Sequence, residues 1–306
     1  MHRALVNRLE IDLALEPRGA FAVRSGDKAA AMLNPWRPDL QVLRQGTGTG
    51  ETVFIPGSSL KGVCRSHTER ILRSLGASET AERWMACDPL EPSGPCHRVP
   101  KGTESPQVHA QQCLACRTFG SQQIRGRASF TDAFPTEETL ARANEVDERS
   151  GVAIDRRSGG PSRGKLFQTE VVTGGAFACK VHAHNLQAWQ VSLLLTVLED
   201  IDAGLIRVGG ATTRGLGHMK IVTSKVKWWQ ISGDRPAGLG ALRPDLVAAY
   251  GLLEDGAIAV HGDIEAVQRL GPSWTWEGPK ALEALDGFRA VGQQALLSHA
   301  KRKGAA

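Results

Sequence analysis

The stretch FIPGSSLKGVCRSHTERILRSLG, Phe54–Gly76, decides how the fold is read. A Pro-Gly turn feeds straight into a helix. Ser58 or Ser59 stands where an N-cap belongs, and Gly76 where the helix should stop. Leu60, Val63, Cys64, His67, Ile71 and Leu75 recur at helical spacing as one apolar stripe, with His67 read as a packed core residue. Lys61, Arg65, Glu69 and Arg73 occupy another face. The helix therefore opens on small, polar and basic residues.

Strand patterns flank it. Leu5–Leu15 alternates apolar and polar residues as a half-buried strand does, and leads into a loop over 17–50 with no helical period. Downstream, RGRASFTDAFP (Arg125–Pro135) reads as a short strand. After a polar stretch, RSGVAIDRRSGGPSRGKLFQTEVV (149–172) reads as a long hairpin arm with a Gly/Ser/Pro tip. GAFACKVHAHN is a further strand, and Asn185 is placed to cap a helix carrying Leu186, Trp189, Leu193, Val197 and Ile201, ended by Gly204. LIRVGGATTRGLGHMKIVTSKVKWW follows as strand, Gly-rich loop, strand, with Trp228 and Trp229 expected to cover core or an interface. The succession strand, helix, strand, strand, helix, strand predicts an α+β fold with a ferredoxin-like (RRM-like) sheet over residues 1–230. Residues 231–306 form a C-terminal extension with short helical patterns over 245–253 and 279–300 and a basic end, KRKGAA, expected to fray.

The 306 residues carry a formal net charge of +5, a mild basic excess compatible with a polyanionic partner. There is no apolar run of membrane-spanning length and no signal-peptide pattern at the N-terminus, so the expectation is a cytoplasmic protein with no membrane partner. Disulfides are rare in that compartment, and six cysteines need another explanation. Four of them, Cys87, Cys96, Cys113 and Cys116, fall in one Pro-, Gly- and His-rich window at about 84–120. A CxxC pair with two further cysteines makes a tetrahedral S4 shell for Zn2+, and four protein ligands make it structural. His97 or His109 remains an alternative to one thiolate, most readily Cys96. Cys64 and Cys179 read as small core residues.

Taken together, FIPGSSLKGVCRSHTERIL, CLACRTFGS, AIDRRSGGPSRGKLFQTEVVTGGAF and IRVGGATTRGLGHMKI, in this order, resemble the RAMP superfamily of CRISPR–Cas proteins, over roughly Leu5–Val226. The likeness is greatest to the type III backbone subunit that polymerises along guide RNA. The resemblance implies a ferredoxin-like palm, a zinc insertion and a protruding thumb hairpin that kinks the guide–target duplex. The implied partners are guide crRNA, complementary target RNA, neighbouring copies of the chain and other effector subunits.

On that resemblance, Ser58, Ser59, Lys61 and Arg65 at the helix start form a phosphate seat. Arg156, Arg157 and Arg163 on the thumb contact phosphates or displaced nucleotides. Gly209, Gly210, Arg214, Gly215 and Gly217 form a loop that lets the RNA backbone approach closely. Catalytic members use one loop aspartate upstream of the helix, matched here by Asp39, with Asp27 as the fallback. The family's Asp-Ser-Pro or Asp-Asn-Pro becomes Asp39-Leu40-Gln41 in this chain. The implied reaction is transesterification by a 2′-hydroxyl, leaving a 2′,3′-cyclic phosphate, with Mg2+ or a similar cation held largely by RNA and water. Two alternatives stand beside this endoribonuclease: a non-catalytic backbone subunit, and a guide-processing RAMP endoribonuclease using histidine chemistry.

Overall fold

The computed structural model describes residues 4–24, 40–48, 50–76, 84–88, 90–91, 96–253, 255, 258, 266–268 and 271–304, and among these described residues eleven strands and eight α-helices follow one another. The first part runs β1 (Asn7–Pro17), β2 (Arg44–Thr47), β3 (Gly50–Val53), α1 (Gly57–Leu75), α2 (Ser105–Ala110), α3 (Leu114–Phe119), β4 (Ala128–Phe130) and β5 (Phe134–Pro135). The middle runs α4 (Leu140–Asn144), β6 (Val146–Ile154), β7 (Pro161–Val172), β8 (Phe177–His184), α5 (Ala188–Asp202) and β9 (Met219–Gln230). The last part comprises α6 (Leu239–Leu242), α7 (Asp245–Tyr250), β10 (Ala266–Gln268), β11 (Gly271–Glu277) and α8 (Asp286–Gly304).

The main sheet has the order β10-β11-β9-β1-β8-β4, with β5 also on β8, and its pairings are antiparallel. It makes a mixed α/β fold. Leu9, Ile11, Leu13 and Leu15 of β1 are buried, as the alternation predicts, and share a core with Leu60 and Cys64 of α1 and Val191, Leu194 and Leu198 of α5. Residues of opposite parity, Arg8, Glu10 and Asp12, lie on the other face. There Glu10 and Asp12 pair with Lys180 of β8.

The start of α1 departs from the expected cap. Neither Ser58 nor Ser59 caps it; Pro56 holds the N-cap position, and the Gly57 N–H donates to Asp132 Oδ1 at 2.7 Å. The cause is a backbone exchange between Ile55 and Ala133, at 2.9 and 2.8 Å, which carries Asp132 to the helix end. The buried seam is also rotated from the predicted stripe. Leu60, Cys64, Thr68 and Leu72 are buried, while His67 is half-buried and hydrogen-bonded to Asp200 of α5 rather than packed in the core. Gly76 ends the helix in an extended conformation.

Asn185 does not cap α5. Its φ is +53°, and its side chain accepts from Val6 N and donates to Ala4 O, so the cap passes to Gln187, which forms a capping box with Gln190. Cys64 and Cys179 are buried, and burial pushes both thiols up to about 12.

β6 and β7 pair with each other as a two-stranded arm outside the main sheet. Val171 and Val172 root the arm in the core, and the Phe21 backbone exchanges hydrogen bonds with Val172. At the tip, Asp155 Oδ1 accepts from Arg157 N, Ser158 N and Ser158 Oγ, closing a side-chain-stabilised turn.

The C-terminal segment adds β11 to the sheet beside β9 and lays α8 along α5. Trp228 and Trp274 are buried, and the Trp228 ring lies 4.6 Å from that of Phe288. The helical patterns over 245–253 and 279–300 appear as α7 and α8, and the latter runs on through Lys301 to Gly304. β10 and β11 were not anticipated from the sequence.

Gly57 has no room for a side chain, since an added Cβ would lie 2.2 Å from the Phe130 carbonyl oxygen. Gly57→Ala should cost about 1–3 kcal/mol, read as a lower urea midpoint, whereas Gly62→Ala, where nothing lies within 4 Å, should not. Acid should act through His109. Burial first, then Arg127 and Arg117, drive its pKa down to about 2, so the folded ring stays neutral while the unfolded one gains a proton. Stability contributed here is present above about pH 6.5 and falls as pH drops. Denaturation curves of His109→Gln should show a shallower acid limb than wild type.

Candidate nucleic-acid interface and cysteine centre

The four cysteines of the insertion converge. Their sulfur atoms all lie within 4.8 Å of one another, and every one of the residues is buried. Cys113 sits at the N-cap of α3 with its Sγ accepting from Cys116 N at 3.4 Å, and Cys96 Sγ accepts from Cys113 N at 3.2 Å. Cys87 Sγ and Cys116 Sγ are 3.7 Å apart, too far for a disulfide and close to the edge of about 3.8 Å that a tetrahedron with 2.3 Å Zn–S bonds requires. Hydrogen bonds from Cys116, Cys87 and Cys96 hold the Cys113 thiol well below its usual range, while bonding to Cys113 first, then Cys87 and Cys96, pushes Cys116 up.

The donor set fits a structural zinc ion with no open position. His109 does not join it: its ring nitrogens are taken by Tyr250 O at 2.9 Å and by Arg127 at 2.8 Å. Nor does His97 belong to the group. Two arginines of α1 brace the centre from outside. Arg65 donates to Cys116 Sγ at 3.6 Å and to Gly120 O, and Arg73 donates to Cys87 O. Among the described residues, no other group of three or more His, Cys, Asp or Glu side chains is placed to hold a metal.

A cleft of about 720 Å³ opens along the opposite face of α1. Ser59, Gly62, Val63, Ser66 and Arg70 line it, positions that recur every three or four residues and so share one face. Their small side chains make a trough rather than a ridge. The facing wall is the loop 205–213, with Arg207, Gly209 and Gly210, and Arg24 closes the end. A smaller recess of about 150 Å³ continues from Arg24 to the root of the arm, between Arg149 and Arg214. Arg214 lies over the Phe167 ring at 5.6 Å.

None of Arg24, Arg70, Arg149, Arg207 and Arg214 pairs with a carboxylate among the described residues, and Arg24 Nε is buried with no partner there. Five uncompensated guanidinium groups along one channel set up a field suited to a polyanion.

The predicted site residues divide. Ser59, Gly209 and Gly210 line the cleft, and Arg214 the neighbouring recess. The Gly209 backbone approaches its own chain, since a Cβ there would meet Ala22 O at 2.5 Å, whereas Gly215 is open to solvent at φ +89°. Ser58 is exposed, and Lys61 lies on the other side of α1, held below the usual lysine range by burial and by the charges of Arg65 and Arg125. The N-terminal anion seat of α1 is already filled in part by Asp132. Arg156 and Arg157 stand exposed at the arm tip, away from the cleft. Asp39, Asp27 and the Arg163 side chain lie outside the described residues. Reading the sequence missed Arg24, Arg70 and Arg207. The spacing of residues 59, 62, 66 and 70 is the one signal that marks this face of the helix.

Purified protein should carry one zinc ion per chain by elemental analysis. Cys113→Ser should lose the metal and melt at lower temperature, while His97→Ala and Cys64→Ser should keep it. Retention of full zinc by Cys113→Ser would refute the four-thiolate shell.

The family model of the RAMP superfamily matches residues 41–220, a span that holds α1, the cysteine centre, the arm and the Gly-rich loop. No curated protein matches the chain. With more than half its length matched, including the walls of the basic cleft, this chain belongs to the RAMP superfamily.

Proposed function

We propose that the chain is a guide-RNA-binding backbone subunit of a type III-like CRISPR effector, polymerising along the guide and cleaving complementary target RNA at regular intervals. The observation that carries this reading is the cleft along α1, whose arginines have no acidic partner among the described residues. It runs on to the root of the arm, where a duplex held in the cleft would meet a protruding hairpin. The strand order β9-β1-β8-β4 with α1 and α5 on one face supports reading residues 1–230 as a ferredoxin-like palm and the arm as its thumb. Guide crRNA, target RNA, further copies of the chain and companion subunits are the partners of this reading.

Cleavage is assigned to Asp39. Its neighbour Leu40 is tied to the arm, donating to Gln168 O and accepting from Glu170 N, which supports a position near the step that the arm distorts. Asp39 would orient the 2′-hydroxyl of a kinked nucleotide for in-line attack on the adjacent phosphate, a geometry that regular A-form RNA denies. A processing endonuclease that uses His67 is disfavoured, because Asp200 and Arg70 engage both ring nitrogens.

Fluorescence anisotropy with single-stranded RNA across a salt series tests the binding. Arg24→Gln and Arg207→Gln should each weaken affinity and reduce the log–log salt slope by about 0.7, the share of one phosphate contact on a single strand. Wild-type slopes in both variants would remove the cleft from the RNA path. In the assembled complex, Asp39→Ala should abolish target cleavage and leave guide binding intact. Loss in Asp27→Ala instead would move the assignment, and cleavage unchanged in both variants would leave a non-catalytic backbone subunit.

A further inference from the structure

A second recess, of about 180 Å³, opens between the cysteine-bearing insertion and the C-terminal segment. Its walls are Ser105, Val108 and His109 of α2, the run Gln123–Arg125, and Tyr250 at the end of α7. The volume equals roughly six water molecules at about 30 Å³ each, room for one planar heterocycle and too little for a folded peptide element. Tyr250 lies beyond the 41–220 span shared with the family.

The chemistry of the walls is specific. The His109 and Tyr250 rings lie 5.8 Å apart, edge to face. Both nitrogens of His109 are committed, so it offers the recess only its ring. Gln123 spends its Nε2 on His97 O at 2.8 Å, which leaves the amide oxygen as an acceptor. Val108 and Ile124 supply apolar contact. Arg125 is exposed and forms no ion pair among the described residues, and neither does Lys61. Burial first, then the like charges of Arg65 and Arg125, disfavour a proton on Lys61, and an anion bound between these cations would relieve the repulsion.

We infer that this recess takes one unstacked base of single-stranded RNA against Tyr250, with the adjoining phosphate on Arg125 and Lys61. A carboxylate side chain would satisfy the cations and leave the aromatic and apolar walls unfilled, whereas a nucleotide supplies a ring and a phosphate together. The inference rests on the RNA-binding reading above. It adds a contact made by the insertion and the C-terminal segment, on the side of α1 away from the cleft.

Tyr250 is the only tyrosine in the chain, so nitration of the full-length protein reads the recess directly. A mixed-sequence single-stranded RNA should slow nitration of Tyr250, and a poly-glutamate peptide of equal charge should not. Tyr250→Leu keeps the backbone carbonyl that His109 uses, and should bind the same RNA about tenfold more weakly. Arg125→Gln, on the surface, should weaken it about threefold and lower the salt slope. RNA binding by the wild type with unprotected Tyr250 and unchanged affinity in Arg125→Gln would overturn the recess and leave the cleft standing. Protection by poly-glutamate alone would assign the recess to an acidic protein partner and also overturn it. Absence of any RNA binding by the wild type would remove the RNA reading itself, and this inference with it.

Discussion

The close approach of Gly57 to Phe130 fixes the position on which both sites depend. With 2.2 Å between the carbonyl oxygen and where a Cβ would lie, and Asp132 holding the Gly57 N–H, the first turn of α1 cannot slide or rotate against the edge strand. Once that turn is set, helical geometry sets the rest, because each residue rotates by about 100°. Ser59, Gly62, Ser66 and Arg70 must face the loop 205–213, and Arg65 and Arg73 must face the cysteines. One helix is thus the shared wall of a basic cleft and a metal-sized sulfur cage. An error of one residue in its start would turn arginines of the cage toward the cleft.

The second constraint is a buried polar knot that joins the insertion to the C-terminal segment. Arg127, buried enough for its pKa to fall to about 9, donates to Asn185 O, Gln190 and His109. Arg117, lowered by burial to about 10, donates to Gln112 O, Ala110 O and Gly251 O. Asp255 accepts from Ala188 N and Gly240 N, and burial raises it to about 6. Removing one member of such a network leaves buried dipoles unpaired, at a cost of about 1–3 kcal/mol each. The insertion is therefore held from two directions, by its sulfur centre and by arginines that also donate to Asn185, Gln190 and Gly251. The recess at Tyr250 lies at this junction and inherits its rigidity.

What the sequence made legible was whatever depends on spacing alone. The alternation of β1, the CxxC pair and the helical period of α1 each specify geometry within one element, and each reappears in the structure. What it hid depends on partners far along the chain. Ser58 was a plausible cap until Asp132, seventy-five positions from Gly57, arrived through the Ile55–Ala133 exchange. Asn185 looked like a cap and is instead a buried staple for the N-terminal residues. His67 shares the apolar spacing, yet Asp200 on α5 draws it out of the core. Arg24, a lone arginine at the start of a long polar loop, carried no local signal, because its role arises only where the loop crosses the Gly209 backbone.

The same logic explains why net charge was a poor guide to the basic surface. Arg125 and Arg127 are only two residues apart, in the run just before β4. Arg127 is consumed by the interior and Arg125 stays exposed. Arg65 and Arg73 are spent on Glu69 and the sulfur centre, Arg44 on Glu170, and Arg289 on Glu199. A formal excess of +5 is therefore the sum of arginines that build the protein and arginines that face outward. Only the second group is available to a polyanion: part of it lines the cleft to the arm root, part stands at Lys61 and Arg125 on the other side of α1, and Arg156 and Arg157 stand at the arm tip. Unpaired guanidinium groups set along one cleft give a stronger local field than the same charges spread evenly. The α1 share of that cleft, Ser59, Gly62, Ser66 and Arg70, follows from where the helix is made to begin.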